Sequence, residues 1–177
     1  MFERFTGDAK ALVKEAVREA AELGSPEIDS LHLLVALTRF PEGGAATLLS
    51  EFGVALDDVV ASVALIRRRG DLSEADAEAL GNLGIDVDQL VERVERDHGR
   101  DALARRKRKK PGHIPFAAGS KRLLERCLEE AVMLRSKEIG GEHILLAMAA
   151  APGPAADVLA GFEVTAERVR AALRRAA

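Results

Sequence analysis

Two histidines, each at the start of an aliphatic run, are the residues of this sequence best suited to chemistry. His143 follows Gly140-Gly141-Glu142, and His32 follows Asp29-Ser30-Leu31. An imidazole can ligate a metal or transfer protons, but a metal or catalytic site needs Cys, Asp or Glu partners at suitable spacing, and none is evident. We therefore expect both rings to be structural and buried or half-buried, donating to backbone carbonyls.

No other pattern indicates catalysis. The sequence has no G-x-x-x-x-G-K-[ST] loop to cradle a nucleoside triphosphate, no nucleophile–base pair and no paired-carboxylate motif. The isolated His98 and His113 are expected at the surface. Cys127 is the single cysteine, which excludes an intramolecular disulfide, and its position on an apolar helix face predicts a buried thiol. We predict no catalytic residue, no metal site and no cofactor, and therefore a protein that is not an enzyme.

Both histidine motifs belong to an internal duplication. One residue drops out after Pro41 and its counterpart Pro152, and the offset between the copies then changes from 111 to 110 residues. A shared register over this distance indicates two copies of one unit. The pairs include Phe5 with Phe116, Lys10 with Lys121, Glu19 with Glu130, Ser25 with Ser136, Ile28 with Ile139, His32 with His143, and, after the change, Ala45 with Ala155, Leu49 with Leu159 and Val54 with Val164.

The composition predicts an all-α protein with an aliphatic core. The 177 residues are 47% hydrophobic but only 3% aromatic, without Trp or Tyr, and helix-favouring Ala, Leu, Glu and Arg are abundant. A net charge of −3 gives no global bias towards nucleic acid or an anionic membrane. No apolar run approaches the about 20 residues that span a bilayer, and the N-terminus does not resemble a signal peptide. We predict a cytoplasmic location.

Each copy of the duplication is predicted to contain four helices. We expect Thr6 to cap the first helix and Asp29 or Ser30 to cap the second. Residues 2–63 form the first repeat and residues 113–175 the second, within a single domain of residues 1–177. Neither repeat offers much core alone, so we expect the two to pack face to face about a pseudo-twofold axis. In the first repeat the helices are predicted at about Gly7–Leu23, Leu31–Leu37, Ala45–Phe52 and from Asp57 or Asp58 to about Arg69.

Residues 70–112 form an insert between the repeats. A capped helix start at Ser73 and an amphipathic face from Val87 to Val94 predict two helices. Six adjacent cations, residues 105–110, then precede Pro111-Gly112. Like charges repel and cannot bury an apolar face, which favours a solvated linker or an arm for an acidic partner. The alternative is contact with DNA phosphates, although no aromatic residue is interleaved and there is no recognition motif.

Three stretches of this sequence resemble the Clp repeat domain, the N-terminal substrate-binding domain of the Clp/Hsp100 AAA+ unfoldases. They are Met1-Phe-Glu-Arg-Phe-Thr6, Gly112-His-Ile-Pro-Phe116 and Gly140-Gly-Glu-His-Ile-Leu-Leu146, and they are most similar to the ClpC branch of the actinobacteria. The resemblance covers both repeats but not residues 70–110, and it comes without AAA+ modules. Met1 and the end soon after the second repeat favour a free-standing homologue over an excised domain.

The resemblance implies a phosphoarginine site in each repeat. In the ClpC branch, the threonine after the first Phe and the glutamate of a Gly-Thr-Glu-His motif help to hold this group. Here Thr6 is kept but Leu31 replaces the glutamate, whereas Glu142 is kept but Ala117 replaces the threonine. Neither repeat keeps the full set, so we expect a degenerate site. The alternative is that both residues are structural: Thr6 caps a helix, and Glu142 is a first-turn carboxylate favoured by the helix dipole.

The resemblance also implies a peptide-binding surface between the first helices of the two repeats, where cyclic peptide antibiotics dock on actinobacterial ClpC. Exposed phenylalanines at the repeat starts could line an apolar groove there. They could equally staple each first helix to the core, and both roles can hold at once. The comparable positions are Phe2, Lys10, Val13, Phe116, Lys121 and Leu124.

The sequence therefore predicts a non-enzymatic protein- or peptide-binding module. We expect its partners to be Clp unfoldase or protease components or their client proteins, with the chain acting as an adaptor or as a decoy. Cyclic peptide natural products are a further expected ligand class. The alternative is a DNA-associated regulator that uses the basic residues 105–110.

Overall fold

The computed structural model describes residues 3–104 and 112–176 as ten α-helices, with two isolated β-bridges and no strands in that part of the chain. This confirms the all-α prediction, including four helices in each repeat and two in the insert. The helices are α1 Gly7–Glu22, α2 Ser30–Thr38, α3 Gly44–Glu51, α4 Leu56–Arg68, α5 Glu74–Asn82, α6 Val87–His98, α7 Ala118–Met133, α8 Gly141–Ala150, α9 Pro154–Gly161 and α10 Ala166–Ala176.

Local sequence signals set the ends of α1. The Thr6 hydroxyl accepts from the N–H of Ala9 at 3.1 Å and caps the first turn, as predicted. Leu12 and Ala16, at helical spacing, are buried in the core. Gly24 adopts a φ of 64° directly after the helix, a left-handed conformation that costs glycine little, so the chain turns here.

The central helices α2 and α8 form the middle of the core. Every residue from Leu31 to Leu37 and from His143 to Met148 is buried, as expected for helices that are apolar nearly all round. Within the described residues, no single helix is long and apolar enough to cross a bilayer; α8 and α9 meet that criterion only as a pair, bent by 96°.

The start of the first repeat is hydrogen-bonded to the second repeat. Phe5 forms an isolated parallel bridge with Ile139, the residue just before Gly140 at the start of α8. Ile139 donates its N–H to the carbonyl of Arg4 at 2.8 Å, and its carbonyl accepts from Thr6 at 3.0 Å. The beginning of α1 therefore lies beside the beginning of α8 of the other repeat, while α1 as a whole packs against α2 of its own repeat.

The same pairing occurs again with the repeats exchanged. Phe116 bridges Ile28, whose N–H donates to Pro115 at 2.8 Å and whose carbonyl accepts from Ala117 at 2.9 Å. These residues are the 111-residue counterparts of the first bridge. In addition, α3 packs against α8 while α9 packs against α2. The predicted pseudo-twofold arrangement is confirmed, with each repeat reaching into the other.

Within the first repeat, an ion pair between Arg67 and Asp29 anchors the C-terminal end of α4 to the start of α2. Asp29 caps α2 by accepting from the N–H groups of Leu31 and His32. Its two carboxylate oxygens also accept from Arg67 at 2.7 and 2.8 Å. Burial raises the pKa of the Asp29 carboxyl, but hydrogen bonds involving His32 and Arg67 outweigh it and hold the pKa well below its ordinary value.

Arginines at the end of α4 attach the insert. Arg69 is 8% exposed, donates to Asp88 at 2.9 and 3.0 Å and also contacts Glu74. Arg68 donates to Glu95 at 2.7 Å, which lowers the pKa of that carboxyl to about 2. Thus α5 and α6 are tied to the first repeat. The basic run 105–110 lies outside the described residues, so its role as linker or DNA-binding arm stays a prediction.

Cys127 is a buried thiol, as predicted. Its side chain is within the core on α7 and donates to the Leu123 carbonyl at 3.2 Å. Burial raises the pKa of the thiol to about 12. The reactive thiolate form is therefore suppressed at neutral pH.

The reciprocal bridges predict a high cost for truncating Ile139, which is 1% exposed. Ile139→Ala should lower the free energy of unfolding by about 2–4 kcal/mol, because it leaves a cavity at the junction of the repeats. Urea denaturation followed by circular dichroism measures this. Val132→Ala removes a 58% exposed side chain and should change the free energy by under about 0.5 kcal/mol. Equal effects of the two substitutions would contradict the proposed importance of the junction.

Asp29→Asn should lower the free energy of unfolding by about 1–3 kcal/mol at pH 7, because it weakens the α2 cap and leaves Arg67 with Asp71 as its anionic partner in place of two carboxylates. The carboxylate has a lowered pKa in the folded state, so its contribution is present above pH about 4 and is lost as pH falls. The difference in the free energy of unfolding between the wild type and Asp29→Asn, measured by denaturant titration, should therefore decrease as the pH falls below about 4. A gap independent of pH would show that the carboxylate's charge is not responsible; the exposed Asp97→Asn is the control.

Candidate ligand-binding pockets at the repeat boundary

The crossing of the repeats creates a pocket of about 150 Å³ where the starts of α1, α3 and α8 meet. We call it the Thr6–Glu142 pocket, after the two residues that line it from different repeats. Asp8, Gly44 and the apolar Leu12 also line it. The pocket therefore combines a hydroxyl, two carboxylates and the N-terminal ends of three helices.

A second pocket, of about 270 Å³, is the pseudo-symmetric counterpart of the first. The starts of α7, α9 and α2 form it, and we call it the Ala117–Leu31 pocket. Ala117 stands at the position of Thr6, Gly119 at that of Asp8 and Leu31 at that of Glu142. At these three positions the second pocket has no polar side chain. It is lined instead by other polar residues, among them Asp29 and Asp71, whose carboxylates both accept from Arg67.

This geometry changes the interpretation of the predicted phosphoarginine residues. Taken within one repeat, the threonine and the glutamate never occur together, since Thr6 goes with Leu31 and Glu142 with Ala117. The structure instead places Thr6 of the first repeat and Glu142 of the second in one pocket, and it places both replacements, Leu31 and Ala117, in the other. One composite pocket thus keeps both residues. The offset of the duplication relates the copies but does not tell which threonine meets which glutamate.

The Glu142 carboxylate needs room that two glycines provide. A Cβ atom added at Gly44 would lie 2.6 Å from Oε2 of Glu142, and one added at Gly140 would also collide with the carboxylate. The equivalent positions in the other pocket are Pro154 and Asp29, so the same opening is absent there. Gly44 and Gly140 are site residues that the sequence analysis did not identify, and the unequal counterparts of the glycines are the signal that could have found them.

The Thr6–Glu142 pocket is negatively charged. Burial raises the pKa of the Glu142 carboxyl, but interaction with His143 and a hydrogen bond from the Glu142 backbone N–H outweigh it, so the pKa is lowered and the group is an anion at neutral pH. Asp8 adds a second carboxylate. The carboxylates favour a cation, whereas the N–H groups in the first turn of α1 favour an anion, because they lie at a helix N-terminus. The pocket can therefore hold a cation and an anion side by side.

The two motif histidines are structural, but with other partners than expected. Nδ1 of His32 accepts from the N–H of Asp29 at 3.1 Å, and Nε2 lies 3.0 Å from the Ser25 hydroxyl. His143 makes the equivalent contacts with Gly140 and Ser136. Burial of both rings is confirmed, whereas the predicted donation to a carbonyl is wrong. In the described parts of the chain no group of three or more His, Cys, Asp or Glu is placed to hold a metal.

The predicted antibiotic-binding positions do not form one exposed apolar surface. Lys10 and Lys121 are exposed, but Val13 and Leu124 are only 8% and 2% exposed and belong to the core. Phe116 is half-buried and packs against the core, in keeping with a staple. Phe2 lies outside the described residues.

Comparison with known proteins agrees with the sequence resemblance. The family described as the Clp repeat (R) N-terminal domain matches residues 4–73 and 70–162. The ATP-dependent Clp protease ATP-binding subunit ClpC of Staphylococcus aureus (strain USA300) is 27% identical over 177 residues, which cover 99% of this chain and 17% of that protein. The chain thus spans only a sixth or so of such relatives.

Solved structures show the same fold. The N-terminal domain of Hsp104 from Candida albicans has a TM-score of 0.62 at 14% identity, with 97% of this chain and 89% of that chain covered. The N-terminal domain of the chaperone ClpD from Arabidopsis thaliana has a TM-score of 0.55 at 21% identity, with 99% and 96% covered. Similarity to the actinobacterial ClpC branch stays a prediction. The family match over both repeats establishes that this chain belongs to the Clp repeat N-terminal domain family.

Proposed function

We propose that this chain is a protein-binding module of the Clp system, which holds client polypeptides without performing chemistry on them. It acts either as an adaptor that brings clients to the unfoldase or as a decoy that competes with the unfoldase's own N-terminal domain. Membership of the family and the relationship to ClpC support this role and a cytoplasmic location. The observation that carries the proposal is the union of Thr6 and Glu142 in one pocket.

The proposed contact point is the Thr6–Glu142 pocket, and the proposed ligand is a phosphoarginine side chain on a client. Glu142 and Asp8 would hold the guanidinium, and the Thr6 hydroxyl with the first-turn N–H groups of α1 would hold the phosphate. The Ala117–Leu31 pocket lacks these groups at the equivalent positions, and its carboxylates Asp29 and Asp71 are already hydrogen-bonded to Arg67. The module would therefore bind one phosphoarginine per chain, although the fold has two related pockets.

Calorimetric titration with a short phosphoarginine peptide tests this. We expect one site per chain and a loss of affinity of at least tenfold in Glu142→Gln, because a charge-assisted hydrogen bond to a carboxylate contributes about 1.5–3 kcal/mol. Glu138→Gln makes the same change at an exposed position four residues earlier and should bind normally. A stoichiometry of two, or unchanged binding by Glu142→Gln, would contradict the composite site.

Cyclic peptide antibiotics are proposed as a second ligand class. Because Val13 and Leu124 are buried, such a peptide would contact mainly the exposed Lys10 and Lys121 and the accessible edge of Phe116. Its contribution to affinity from buried apolar surface would be correspondingly small.

Degradation of a fluorescent, arginine-phosphorylated client by purified ClpC and ClpP distinguishes adaptor from decoy. An adaptor should raise the initial rate, and a decoy present in tenfold excess over ClpC should lower it. In either case Glu142→Gln should abolish the effect and Glu138→Gln should keep it. No change in rate at tenfold excess of the wild type would overturn the proposed role.

A further inference from the structure

The first repeat contains a groove of about 690 Å³ that is separate from the Thr6–Glu142 pocket and shares Leu31 with the Ala117–Leu31 pocket. It lies between the C-terminal half of α1, α2 and α4, and residues 101–104 of the insert close one end. Leu23, Val35, Val60 and Ala64 form its aliphatic walls, and Glu19 stands at its side. We call it the Glu19 groove.

In the second repeat, an ion pair fills the corresponding space. Glu130 of α7 is fully buried, and both its oxygens accept from Arg170 of α10 at 2.8 and 2.9 Å. The corresponding pocket of the second repeat has a volume of only about 330 Å³, and neither Glu130 nor Arg170 lines it. The Arg170 side chain therefore occupies the part of the space that remains open in the first repeat.

The register of the duplication identifies the cause of the difference. Glu19 is the counterpart of Glu130, and Val60 is the counterpart of Arg170, one position after the equivalent buried valines 59 and 169. The first repeat thus has the carboxylate but not the arginine. Arg39 partly compensates by donating to Oε2 of Glu19 at 2.8 Å, but Arg39 approaches from the surface and is itself 45% exposed.

We propose that the Glu19 groove docks a partner polypeptide by taking in one of its arginine side chains. The guanidinium would bind Glu19, as Arg170 binds Glu130, and the residues flanking that arginine would pack on Leu23, Val35 and Val60. This inference rests on the proposed function in that the module binds polypeptides, but it concerns unmodified arginine and a different face of the molecule.

The charge around the groove favours this occupant over the chain's own basic run. Arg39 and Arg67 line the groove together with Glu19 and Asp101, so its acidic groups do not outnumber its basic ones. Six adjacent cations would meet two arginines there at short range, which is unfavourable. A single arginine flanked by aliphatic residues brings one cation to Glu19, and its aliphatic neighbours match the apolar walls of the groove.

The test uses a nine-residue peptide with one arginine between leucines, and a second peptide with neutral citrulline in place of arginine. Nuclear magnetic resonance titration of the full chain should shift the amide signals of Val35 and Ala64. The arginine peptide should bind at least tenfold more tightly than the citrulline peptide. Val60→Arg rebuilds the internal arrangement of the second repeat and should weaken binding at least tenfold. Val17→Arg adds the same side chain to an equally exposed valine on α1 outside the groove and should bind normally.

Glu19→Gln provides a second variant, which should bind the two peptides equally and keeps the proposal testable if Val60→Arg does not fold. Glu142→Gln should bind the arginine peptide normally, which separates this site from the Thr6–Glu142 pocket. Equal binding of the two peptides by the wild type, full binding by Val60→Arg, or no shift at Val35 and Ala64 would overturn the proposal. Two further results would overturn it. Dimers of the wild type in sedimentation that Val60→Arg abolishes would show that the occupant of the groove is a second copy of the chain. Peptide binding that tightens tenfold when residues 105–110 are replaced by serine would show that the occupant is the chain's own basic run.

Discussion

The reciprocal backbone pairing at Ile28 and Ile139 is the constraint on which the rest of the structure depends. Each isoleucine uses its N–H and its carbonyl to bond the segment that enters the first helix of the other repeat. Both side chains are buried, so an unmade bond there would leave polar backbone groups without water or partner. The two repeats cannot separate without breaking these bonds and exposing their shared core. The pairing thereby sets where the helix N-termini lie.

Because of this pairing, any site at the N-terminus of a first helix is shared between the repeats. Thr6 lies opposite Glu142, and Ala117 lies opposite Leu31, so each pocket takes one residue from each copy. Leu31 and Ala117, which replace one motif residue in each repeat, therefore both lie in a single pocket. The duplication allows one pocket to keep both motif residues while its counterpart differs at several positions, without a cost to the shared core.

The outer faces of the repeats have diverged in a different way. The second repeat closes its α7–α8–α10 face with the buried Glu130–Arg170 pair, whose desolvation cost is offset by bidentate hydrogen bonds. The first repeat leaves the equivalent face open at Val60 and adds the insert beside it, held by Arg68 and Arg69. Both features that distinguish the first repeat thus involve α4. The second repeat is the more closed of the two.

The sequence by itself determined the helices, the caps at Thr6 and Ser73, the duplication and the family, because periodicity, capping and register are local or self-referential patterns. It also identified Thr6 and Glu142 as ligand-binding candidates through the family motif. Only the tertiary structure decided that these two residues meet, that each motif histidine contacts a serine seven residues earlier, and that the space beside Glu19 is open. An apolar stripe shows which face of a helix is buried but not which helix covers it. The partners of these side chains therefore depend on how helices pack together, and some of those helices lie more than 100 residues apart in the sequence.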